Sequence, residues 1–139
     1  MVRINLIKVT QLSDQHLIAE YREILMMFGY YRKHQNLSSS ENQFQAARFY
    51  HDKLLYLQSR FMMLRQEMIN RNFKPTRFIE RDGYPEEHWN DYEPNQFYIE
   101  EMKQRIRQRI SEKPTWYRYH GQYKTPQFFE ELMKQSLIV

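Results

Sequence analysis

The stretch Asp14-Gln-His-Leu-Ile-Ala-Glu-Tyr-Arg-Glu23 crowds His16, Arg22 and Glu23 into what reads as the opening turns of a helix. Upstream, the chain starts Met1-Val-Arg-Ile-Asn-Leu, and the small residue at position 2 permits removal of the initiator methionine, leaving Val2 as a free α-amine. With a pKa of roughly 7.7–8.0, about 10–20% of such an amine is neutral at pH 7, against well under ~0.1% of an ordinary lysine. If the fold brings that amine beside Glu23, one site holds a nucleophile and a carboxylate and needs no metal, thiol or cofactor. The competing chemistries lack their residues. There is no cysteine, no His-Glu-x-x-His, no phosphate-binding glycine loop and no Gly-x-Ser-x-Gly, and the five histidines (16, 34, 51, 88, 120) are scattered. A metal site is therefore not expected.

Two basic segments flank an acidic one. Residues 80–100 hold seven acids against Arg81, whereas residues 48–77 and 101–124 each hold seven bases and two acids. A cationic face suits a polyanion, because neutralising phosphates releases counterions; solvated helix faces fit the same pattern. At 139 residues the chain is expected to be a single domain spanning 1–139, large enough to bury its own core. The lack of cysteine, the mean hydropathy of −0.89 and the absence of a long apolar segment point to a soluble, cytoplasmic protein without membrane contact. A monomer is expected.

Scarce glycine and the lack of long alternating runs predict an all-α fold of three main helices plus a short C-terminal one, with irregular loops. Ser13 or Asp14 can cap a first helix to about His34, burying Leu17, Tyr21, Ile24, Leu25 and Phe28. Residues 35–43 read as a loop. A second helix is predicted from Gln45 to Asn72, with Ala46, Tyr50, Leu54, Leu57, Phe61, Leu64 and Met68 on one face. Asn95 can cap a third, to about Ser111, with Arg105 and Arg109 one turn apart beside its buried stripe. Thr125-Pro126 opens a C-terminal helix carrying Phe129, Leu132 and Met133.

Several anchors then line up in order: Arg3-Ile-Asn-Leu, Asp14-Gln-His-Leu, Ala19-Glu-Tyr-Arg-Glu23, Phe28-Gly29 with Arg32-Lys-His34, Asp52-Lys53-Leu54 after Tyr50, Asp91-Tyr92, Arg105, and Pro114-Thr-Trp-Tyr-Arg-Tyr119 with Gly121. Together they resemble the phage-type pyrimidine-dimer DNA glycosylases, the endonuclease V enzymes of the bacteriophage kind. The resemblance implies a compact all-α enzyme acting on UV-damaged double-stranded DNA, cutting the glycosyl bond of a cyclobutane pyrimidine dimer and then nicking the backbone by β-elimination. It would work in the cytoplasm, or in a virion or host cytoplasm if phage-encoded. The family's attacking amine falls on Val2, its catalytic glutamate on Glu23, its helix-one DNA contacts on His16 and Arg22, and its N-terminal arginine on Arg3. Its third-helix basic contacts fall on Arg105 and on Arg109, where the phage enzyme has lysine.

Arg32 and Lys33 fit a phosphate contact or solvated charge equally. In Trp116-Tyr117-Arg118-Tyr119, Trp116 is expected to pack, leaving Arg118 and one tyrosine near DNA. The sequence departs from the family where Met26 replaces an arginine and can make no phosphate hydrogen bond, which is where lesion preference is expected to differ. Val2 replaces threonine, and residues 125–139 extend past the family's end. Two rival readings remain: a lyase or glycosylase for another base lesion, and a basic DNA-binding module without catalysis.

Overall fold

Three helices begin where a side-chain oxygen can take up a backbone N–H that has no helical partner. Ser13 accepts from the His16 N–H, Asn95 from Tyr98 and Thr125 from Phe128. In the computed structural model, which describes residues 4–135, these caps open α1 (Asp14–Lys33), α4 (Gln96–Glu112) and α5 (Pro126–Lys134). Between α1 and α4 lie α2 (Ala46–Phe49) and α3 (Leu54–Asn70). Single 3-10 turns form at Val9–Gln11 and Glu86–His88, and a hairpin pairs β1 (Arg118–Tyr119) with antiparallel β2 (Gln122–Tyr123). Among the described residues the fold is all-α apart from that hairpin. No helix of the described residues is long and apolar enough to cross a membrane.

The expected second helix is two. Its apolar stripe keeps one face from Ala46 to Met68, but the backbone turns at residues 50–53. The Lys53 N–H bonds to the Tyr50 carbonyl at 2.9 Å, and the Phe49 carbonyl that a continuing helix would have used is taken by Lys53 Nζ at 2.9 Å. Asn90, from a distant loop, donates to the Asp52 carbonyl at 2.9 Å and accepts from the Tyr56 N–H at 3.3 Å. Two side-chain donors and the Asn90 carbonyl thus satisfy groups a helix would have paired, and the break needs neither proline nor glycine.

The α1 stripe of Leu17, Tyr21, Ile24 and Phe28 buries against the Leu54, Leu57, Phe61 and Leu64 side of α3, with the Tyr21 and Phe61 rings stacked 5.0 Å apart. Leu25, expected inside, is only half-buried. Helix α5 joins the same core through Phe129 and Met133, and Arg107 of α4 bonds Glu130 at 2.6 Å. Gln11 donates to the Leu132 and Gln135 carbonyls, so the segment at 125–135 is built into the core beside the N-terminal arm; residues 136–139 lie outside the described residues.

A second buried node ties the remaining pieces. Arg71, at the end of α3, bonds Glu67 and Asp14 and reaches the Leu12 carbonyl. Asp14 in turn accepts from the backbone N–H groups of His120 (3.0 Å) and Gly121 (2.8 Å). Both turn residues have positive φ, 52° and 80°, as a tight two-residue hairpin requires. Asp14 therefore anchors the hairpin, and Ser13 is the helix cap.

Candidate active site

On α1, His16, Ala19, Glu20 and Glu23 recur at helical spacing and face one direction. Helix α4 brings Arg105, Ile106 and Arg109 to meet them, the arm before α1 supplies Asn5, and the segment after α4 supplies Tyr117. These nine residues line an open cleft of about 180 Å³. Within it, Glu23 Oε2 is buried and has no hydrogen-bond partner among the described residues. An orphaned carboxylate oxygen is costly to bury, which makes Glu23 the candidate functional group of this cleft.

His16 forms one wall. Its ring lies flat on Tyr117, centroids 5.0 Å apart and planes within 2°, and its Nδ1 sits 2.7 Å from Ser13 Oγ. Burial pushes its pKa down to about 4; Glu20 opposes the shift, and Arg105 and Arg109 add to it. His16 is therefore neutral at physiological pH and offers a hydrogen bond and a flat ring, not a charge. Burial also pushes the Tyr117 hydroxyl up. Gln15 clamps this wall to α1, donating to the Trp116 carbonyl (2.8 Å) and accepting from the Arg118 N–H (2.9 Å).

The second carboxylate, Glu20, is saturated. Its Oε2 accepts from Arg60 Nε at 2.6 Å, and its Oε1 accepts from Arg60 Nη2 at 3.2 Å and from the backbone and side-chain nitrogens of Asn5 at 3.1 and 2.8 Å. Arg60 also donates to the Ile7 carbonyl at 2.6 Å. One turn apart on the same helix, one carboxylate is fully bonded and the other is left open.

Of the residues singled out from sequence, His16, Glu23, Arg105 and Arg109 meet in the cleft. Arg22 is exposed on α1 outside the lining. Arg32 and Lys33 are exposed near the far end of α1, about 14 Å along the axis from Glu23. Arg32 leans over the Tyr84 ring and bonds the Asp82 carbonyl at 3.2 Å. Arg118 is exposed on β1, over the Tyr123 ring. Val2 and Arg3 lie outside the described residues. In the aromatic segment the packed ring is Tyr117, not Trp116, which is half exposed under Lys113. Met26 is 61% exposed one turn beyond Glu23.

Nothing in the sequence singles out Asn5, Glu20 or Arg60 for this cleft, and Tyr117 is one of the two tyrosines of the segment expected to leave one near DNA. Arg60 gave one clue, since it falls inside the stripe Leu57, Phe61, Leu64, where a cation requires a buried carboxylate.

Residues 1–81 match the family model for pyrimidine dimer DNA glycosylases. The chain belongs to that family. The matched stretch contains the arm, α1 and α3, hence Asn5, His16, Glu20, Glu23 and Arg60; Arg105, Arg109 and Tyr117 lie beyond it. As a pyrimidine dimer DNA glycosylase, the protein is a DNA repair enzyme that acts on damaged DNA and cuts the bond between base and sugar. The open Glu23 oxygen lies in the same cleft as Arg105 and Arg109.

Proposed function

We propose that this glycosylase is also an AP lyase working through an N-terminal-amine Schiff base on double-stranded DNA carrying a cyclobutane pyrimidine dimer. The observation that carries this reading is the buried, unpartnered Glu23 Oε2 in a cleft lined by Asn5. Ile4, the next residue back, is also buried, and two residues of extended chain span at most ~7 Å. Val2 is three residues before Asn5, which lines the cleft, so the chain is short enough for its amine to be carried there.

The Val2 nitrogen attacks C1′ as the glycosyl bond breaks, and the base leaves with the bonding pair and takes up a proton. Ring opening then gives the Schiff base, which acidifies the C2′ hydrogen. Loss of that proton expels the 3′ phosphate, and water finally releases the enzyme. Glu23 as carboxylate steadies the positive charge growing on the sugar, then relays protons in ring opening and elimination. Arg3, Arg22, Arg105 and Arg109 hold phosphates, and His16 donates a neutral hydrogen bond. Arg32, Lys33 and Arg118 lie further out and extend the DNA track. Unstacking at the lesion costs a few kcal/mol, roughly, and less where the stack is already distorted. The enzyme acts as a monomer and a single domain.

Borohydride trapping on dimer-containing and abasic duplexes tests the proposal. Protein with a Val2 terminus, verified by mass spectrometry, is expected to form a covalent adduct that disappears when the amine is blocked. No adduct from that protein overturns the mechanism. Cutting of abasic but not dimer duplex would keep the amine and reject the lesion.

A further inference from the structure

We propose that Asn5, gripped by the buried Glu20–Arg60 pair, is the positioning residue that sets the N-terminal arm against Glu23; this rests on the Val2-amine reading above. One ion pair holds both ends of a tight turn. Glu20 Oε1 takes the two Asn5 donors on one side of Leu6, and Arg60 Nη1 takes the Ile7 carbonyl on the other. Between them Leu6 has φ 65°, a left-handed conformation that leucine rarely adopts, and the Ile7 N–H closes onto the Asn5 carbonyl at 2.8 Å as a γ-turn.

Such a turn persists only where its surroundings dictate it. Here Ile4, Leu6 and Ile7 are all buried, and Asn5, Glu20 and Arg60 are each 7% exposed or less. A buried ion pair adds little net stability over apolar residues of the same volume, so its use at this point is better explained by the geometry it imposes. The arm could have crossed α1 in an extended, unstrained form. Instead it is bent and clamped at the residue that both lines the cleft and touches Glu20.

The division of labour between the two carboxylates follows. Glu20 has a partner on each oxygen and faces the Arg60 guanidinium, so it is held in place. Glu23, three residues on, keeps one buried oxygen open. Asn5 is the link, since its side-chain amide and its own backbone N–H converge on a single oxygen of Glu20. Removing the amide leaves the ion pair and the backbone bond in place but takes away the shorter of the two bonds that fix Asn5.

The test compares Asn5→Ala, and separately the double variant Glu20→Leu with Arg60→Met, with wild type, all bearing a verified Val2 terminus. Three quantities are read: the single-turnover trapping rate at saturating abasic duplex, the Kd for duplex carrying a tetrahydrofuran abasic analogue, and Tm. Displacing the arm by about 1 Å is expected to slow trapping by about a hundred-fold, with the Kd unchanged. The double variant removes the clamp without leaving an unpaired buried charge and is expected to slow equally, and it decides the matter if Asn5→Ala folds poorly. Wild-type trapping rates at saturation in a folded variant, or losses confined to the Kd, overturn the inference. Absence of any wild-type adduct is a different result: it removes the amine mechanism itself, and the positioning role with it.

Discussion

Acidifying the protein should cost it stability through His16 before any general acid denaturation. The ring's pKa is held near 4, against 6.5 in an unfolded chain. Between those values the unfolded chain binds a proton that the folded one refuses. The contribution is therefore fully present above pH 6.5 and is lost as pH falls towards 4. From about pH 7 to about pH 4.5, with some screening at the cleft mouth, the loss is roughly 2 kcal/mol. That is a sizeable part of the ~5–15 kcal/mol typical of a domain. Urea unfolding at both pH values, for wild type and His16→Phe, isolates the effect. Phenylalanine keeps the stack on Tyr117 but cannot protonate, so its stability should fall less over this window. An NMR titration of the ring reads the same quantity directly. A His16 that titrates at or above 6.5, or identical pH profiles for the two proteins, would refute the reasoning.

Glu23→Gln should lower single-turnover cleavage by about 10²–10⁴-fold while leaving binding of uncleavable damaged duplex intact, as measured by gel-based kinetics and anisotropy. Arg71→Met strands the buried Asp14 and Glu67 carboxylates and should cost about 3–5 kcal/mol in urea unfolding. Ser13→Ala removes the α1 cap and should cost about 1 kcal/mol, visible as a lower Tm. If Arg109 meets one phosphate, Arg109→Gln should reduce the slope of log K against log salt by about 0.9, and an unchanged slope would remove it from the DNA face.

Helices α1, α4 and α5 were legible because cap and stripe agree: a polar cap residue sits just ahead of apolar positions at helical spacing. The break before α3 was not. Ala46, Tyr50 and Leu54 stay four apart across it, so periodicity reports one helix, and the groups that stabilise the break include Asn90, far along the chain. The hairpin escaped because two-residue strands are too short to alternate. In the cleft, Glu23, His16, Arg105 and Arg109 could be named from their types and the family resemblance. Glu20 and Arg60 could not, because a charge inside an apolar stripe declares only that it needs a partner. Which partner it finds, 40 residues away, is settled by packing.

The grip of Gln11 on the Leu132 and Gln135 carbonyls has a consequence in time. Those groups are 121 and 124 residues apart, so nearly the whole chain must be made before the bonds can close. Contacts of such separation form late, since loop closure has to be completed before they stabilise anything. During synthesis Asn5 and Ile7 can be gripped by Glu20 and Arg60 as soon as α1 and α3 have emerged, whereas Gln11 stays without these two acceptors until α5 arrives, so the stretch 4–11 is seated in two steps.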